Sequence, residues 1–137
     1  MSYAASAALQ AAVYQRLRDD PEVTLGVGAA IFDALPPGIL PDTYVTLGPE
    51  EVRDRSDGTG GGAWHRFTIS VVTQTAGFQS AKAIAAAIGD ALVDADLSLS
   101  RGRLASLSFD RARARREGSG QLRRIDLTFR ARVQDSA

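Results

Sequence analysis

The sequence predicts an α+β fold, a mostly antiparallel β-sheet with two α-helices packed on one face. Three observations lead there. Two stretches repeat their apolar residues at helical spacing, and others alternate apolar and polar residues as strands do. The order along the chain is helix, strand, strand, helix, strand, strand, which suits helices gathered on one side of a sheet. The 137 residues are 45% hydrophobic, enough for the core of a single domain spanning 1–137.

The first helix is expected over 3–19, where Leu9, Ala12, Val13 and Leu17 share a face. Asp19 and Asp20 precede Pro21, which stops it. Residues 21–42 carry Pro36, Pro37, Gly38 and Pro41 and read as irregular. "DTYVTLGPEEV" is rich in β-branched and aromatic residues and predicts a strand at 43–52. A flexible glycine loop, "RDRSDGTGGGA", follows and is expected to be mobile over Arg53–Ala63 in the free chain. In "WHRFTISVVTQT", residues 64–75, Phe67, Ile69 and Val71 fall on one face and Arg66, Thr68 and Ser70 on the other. The second helix, 79–94, buries Ala81, Ile84, Ala85, Ile88 and Leu92.

The last two strands, 104–116 and 122–134, form a hairpin. Ile125, Leu127, Phe129, Ala131 and Val133 alternate without interruption. On the partner strand Leu107 and Phe109 are odd-numbered but Ala112 and Ala114 even-numbered, so an unbroken strand cannot bring all four to one face. A β-bulge near Asp110–Arg111 repairs the pattern. It pairs Phe109 with Phe129, Ala112 with Leu127 and Ala114 with Ile125, and leaves a two-residue turn at Ser119-Gly120. The opposite face then collects Arg111, Arg113, Arg115, Arg124, Arg130 and Arg132, relieved by Asp126.

That face stands out against a net charge of zero. Residues 101–132 carry a charge of +7 and residues 1–100 a charge of −6. Such polarity suits head-to-tail self-association or a polyanion bound on one side. The plainer reading is that the opposite charges pair within the fold. Arginine supplies all the positive charge except Lys82, and it favours interfaces and phosphates, although a GC-rich genome gives the same bias.

Chemical signals are faint. There is no cysteine and one histidine, which argues against disulfides, thiolate zinc sites and transition metals, and no cofactor is implied. His65 continues the inward face of Phe67 and Ile69 and reads as a core or interface residue. A small hydrolase would need it, and no nucleophile elbow accompanies it. "DGTGGGA" lacks the lysine and hydroxyl residue of a phosphate loop. Glu50, Glu51, Asp54 and Asp57 read as a solvated acidic edge. Trp64 points away from Phe67 beside the glycine loop, as a subunit-contact residue would. No apolar run is long enough to span a membrane. The apolar N-terminus lacks the basic start of a signal peptide.

Several segments together resemble the phage tail terminator, or tail completion, proteins of siphovirus-like particles and gene transfer agents. They are "SAALQAAVYQRLRDDPEV", "VGAAIFDALPPGILPDTYVTLGPEEV", "HRFTISVVTQTAGFQSAKAIAAAIGDAL" and "LSFDRARARREGSGQLRRIDLTFRARV". The resemblance covers most of the chain. It implies a non-enzymatic virion protein, made in the bacterial cytoplasm and built into the tail or neck. It further implies a hexameric ring that caps the tail tube, ends its polymerisation and meets the head connector, with DNA passing through in transient contact. The implied partners are therefore other copies of this chain, the tail tube protein and the head–tail connector or stopper protein. The nearest alternatives are a head–tail stopper subunit and a nucleic-acid-binding domain using the arginine sheet. Against the latter, the arginine face is expected to carry no aromatic side chain for stacking. Candidate contacts are Arg111, Arg113, Arg115, Arg124, Arg130 and Arg132 for a subunit or DNA channel. An interface loop is expected to contribute Arg53, Arg55, Asp57, Gly60 and Trp64. Asp19, Asp20, Glu22, Glu50, Glu51 and Asp54 are expected to offer the neighbour's negative charge.

Overall fold

A computed structural model describes residues 3–55 and 61–135. In chain order the elements are α1 (Ser6–Asp19), α2 (Pro21–Val27), β1 (Ile31–Phe32), β2 (Thr43–Asp54), β3 (Gly61–Thr73), α3 (Gln79–Leu92), β4 (Arg103–Glu117) and β5 (Leu122–Asp135). The five strands form one sheet in the order β1-β2-β3-β5-β4, antiparallel except for the β1–β2 pair.

Residues 21–42 are more ordered than expected. The "DPE" run that ends α1 also starts α2. Asp20 caps it, its carboxylate accepting from the backbone N–H groups of Glu22 and Val23 at 3.0 Å, and Pro21 stands at the first helical position. Gly28, at φ +59°, closes this short helix. Gly26 lies so close to α3 that a Cβ there would come within 2.5 Å of an Ile84 side-chain carbon.

The core lies between the helices and one sheet face. Leu9, Val13 and Leu17 of α1, Val23 of α2 and Ile84, Ile88 and Leu92 of α3 pack with Ile69, Val71, Leu107 and the alternating residues Ile125 to Val133 of β5. Phe129 is fully buried, stacked on Phe67 at 5.7 Å and meeting Phe109 edge-on at 6.0 Å.

The hairpin register has the expected shift between Phe109 and Arg111 and the three foreseen pairs in place, and a second shift, between Leu104 and Ser106, that was not foreseen. Its turn is longer than two residues. Pairing ends at Glu117–Leu122, Gly118 and Gly120 both take positive φ, and Gly120 N–H donates to the Glu117 carbonyl at 3.1 Å. Phe109 points to the helix side as expected but is 49% exposed, because the cover that buries Leu107 on the edge strand β4 ends before it.

The strands on either side of the glycine loop run further than the sequence suggests. Arg53 and Asp54 belong to β2 and Gly61–Ala63 to β3, with Asp54 paired to Ala63 and Arg55 N–H bonded to the Gly62 carbonyl at 2.7 Å. The ends of the expected loop Arg53–Ala63 are therefore paired strand. Asp57 and Gly60 lie outside the described residues.

Candidate functional site: the outward face of the sheet

The face turned away from the helices is built by the even-numbered positions of β5 and their cross-strand partners. One row runs Arg53, Trp64, Arg132 and Ser106; the next runs Glu51, Arg66, Arg130 and Ser108. Beyond them lie Thr68, Thr128 and Arg111, then Ser70, Asp126 and Arg113, then Val72, Arg124 and Arg115. All six arginines expected on this face are there.

Their environments differ. Arg115 and Arg124 stand directly opposite each other, where like charges are unfavourable. The repulsion expected there is relieved within the subunit. Asp126 holds Arg124 Nε at 2.9 Å and an Arg115 nitrogen at 3.4 Å, and Glu117 reaches Arg115 at 2.9 Å. Ser70 Oγ donates to Asp126 at 2.6 Å and accepts from Arg124 at 3.2 Å. Burial alone would raise the Asp126 carboxyl, but the bonds from Ser70 and Arg124 outweigh it and hold the group below its ordinary value. Asp126→Ala leaves two opposed guanidiniums short of an anion. It should cost about 1–3 kcal/mol of unfolding free energy by urea titration.

Arg130 and Arg132 flank Trp64, with their guanidinium carbons 4.5 and 5.8 Å from the ring centroid, and Arg132 also donates to the Arg55 carbonyl at 2.9 Å. This corrects the expectation that the arginine face has no aromatic side chain. The alternation already placed Trp64 on that side. A recess of about 530 Å³ beside it is lined by Glu51, Arg53, Asp54, Arg55, Trp64, His65, Arg66 and Arg130, which joins the expected loop contacts Arg53 and Arg55 to the arginine face. A second recess, about 520 Å³, has a floor of Thr68, Ser70 and Thr128 and a rim that includes Arg111, Arg113, Arg115 and Arg124. Arg111 and Arg113 have no hydrogen bond or ion pair with any described residue.

The expected acidic partners are largely engaged. Asp20 caps α2, Glu51 pairs with Arg53 at 2.9 Å, and Asp19 accepts from Gln15. Glu50 has changed sides. A bulge between Leu47 and Glu50, at Gly48-Pro49, shifts the register by one residue and turns Glu50 toward the helices. There it accepts from Ser6 Oγ at 2.6 Å and faces His65 Nδ1 at 3.2 Å.

His65 is fully buried, as an inward residue should be. The Ser6–Glu50–His65 chain is not a nucleophilic triad. Its serine bonds to the carboxylate, whereas a nucleophile must meet the imidazole nitrogen that the carboxylate leaves free. That nitrogen, Nε2, has no partner among the described residues. Burial raises the Glu50 carboxyl, and the bonds from His65 and Ser6 more than offset this, so its folded value lies below the ordinary 4.5. The same holds for Asp126 below 3.8. Groups lowered on folding stabilise the fold in full above their ordinary values and lose that contribution as pH falls through the folded ones. The urea midpoint should therefore fall as pH drops below about 4.5, and Glu50→Gln with Asp126→Asn should flatten that fall. An equally steep fall in the double variant would contradict both assignments.

The helix-backed sheet thus presents a basic outward face, and its one histidine lies in the core. The family model described as tail completion protein gp17 matches residues 11–134, and the chain belongs to that family. It is a structural protein of the virion tail. A chain in a solved structure described as the virion of a native gene transfer agent particle is 62% identical, with a TM-score of 0.93, over 97% of this chain and 99% of that one. No curated protein sequence matches. Among the described residues, no helix is long and apolar enough to cross a membrane.

Proposed function

We propose that this protein is a tail terminator. Six copies form a ring on the finished tail tube, stop its polymerisation and offer the head connector a docking surface, while DNA passes through the opening. The observation that carries this reading is the near-complete match to a chain of a gene transfer agent virion, within a family of tail completion proteins. The outward face supports it. Arg111 and Arg113 are charged groups without an anion among the described residues, as a subunit contact would need, and we assign them to a neighbouring copy. Arg130 and Arg132, ordered against Trp64, suit passing phosphates, which must be attracted without being held.

The test is electron microscopy of particles made without this protein. Overlong tails without heads are expected. Normal, head-bearing particles would overturn the reading. Unattached tails of normal length would instead assign the protein to the head–tail stopper position.

A further inference from the structure

The loop between β1 and β2, Asp33–Asp42, puts apolar side chains where a lone domain has no use for them. Ile39 is 100% exposed and Leu35 49%. Pro36, Pro37 and Pro41 stiffen the loop, and Gly38 turns it at φ +92°. A stiffened loop loses little freedom when it docks. Asp33 and Asp42 flank the apolar tip, and both are exposed.

A complementary surface lies at the other edge of the same sheet. β1 is one edge and β4 the other. Beyond the Phe109–Arg111 bulge the helix-side face of β4 is uncovered: Phe109 is 49% exposed and Ala112 and Ala114 are exposed. Arg116 ends this strip and has no hydrogen bond or ion pair with any described residue. One edge therefore offers an apolar tip between carboxylates, and the other an apolar strip beside an unpaired guanidinium.

We infer that the Asp33–Asp42 loop of one copy packs Leu35 and Ile39 onto Phe109, Ala112 and Ala114 of a second copy, with Asp42 facing Arg116. The occupant is another copy of this chain because the apolar and charged halves match and lie at opposite sheet edges. A contact between unlike surfaces repeats from subunit to subunit and closes into a ring when the rotation allows. The inference rests on the ring reading above and names the contact that builds it.

The chain has no cysteine, so paired cysteines report the contact directly. Ile39→Cys with Ala112→Cys, oxidised in assembled particles, should give a ladder of covalent multimers of this chain. Each single variant should stay monomeric under the same oxidation. Absence of a ladder from particles that contain the double variant would overturn the contact, as would a link from Ile39→Cys to a different particle protein. If the double variant is not incorporated, Leu35→Asp with Ile39→Asp decides, read by incorporation and by thermal unfolding of the free chain. An unchanged melting temperature with lost incorporation supports the contact; normal incorporation overturns it. A ladder stopping at six agrees with the closed ring, whereas one running past six keeps the contact and rejects the six-membered ring.

Discussion

Arg111→Glu with Arg113→Glu should leave the chain folded and yield particles whose tails are not terminated. Both residues lie on the edge strand β4, on the outward face, without an anion among the described residues. Nothing in the described fold depends on their charge, so the melting temperature should change little, and surface substitutions of this kind usually stay within about 0.5 kcal/mol. An interface responds differently. Reversal turns two attractions into two repulsions, and misplaced like charges across an interface cost several kcal/mol. The alanine pair should give a milder defect than the glutamate pair, because it removes attraction without adding repulsion. Tail lengths and transducing or infective titre provide the readout. Normal tails and full titre from the glutamate pair would remove the basis for assigning these arginines to a neighbour.

Phe129→Ala should be the most damaging single truncation in the fold. The side chain is fully buried on β5, a strand with neighbours on both sides. It forms the middle of an aromatic row, stacked on Phe67 and met edge-on by Phe109. Truncating a buried phenylalanine costs about 3–5 kcal/mol, and lost aromatic pairing adds about 0.5–1.5 kcal/mol per pair. Against a total stability of about 5–15 kcal/mol, this can take most of the margin. Urea unfolding measures it. A loss under about 1 kcal/mol would mean that the row closes over the gap, contrary to the close packing typical of protein cores.

The hairpin was legible from sequence because strand periodicity is strict. The parity break between Phe109 and Ala112 could be repaired only by an extra residue, which exposed the bulge, the register and the shared face of the six arginines at once. Helices α1 and α3 were legible from their apolar stripes, and His65 from the inward alternation of its strand. The Asp20-Pro21 start of α2 was present in the sequence, but the proline was read only as a stop. The bulge at Gly48-Pro49 was missed although β2 carries the same kind of signal, Val45 and Leu47 being odd-numbered and Val52 even-numbered; pairing with β3 shows that it turns Glu50 inward to His65. The sequence could not say which arginines have anions of their own, because that depends on distances across strands far apart in the chain. Asp126 and Glu117 hold Arg115 and Arg124, Trp64 packs with Arg130 and Arg132, and Arg111 and Arg113 have no anion among the described residues. Alternation along a strand is a local property that sequence alone determines, whereas the neutralisation of a charge depends on neighbours that only the tertiary fold brings together.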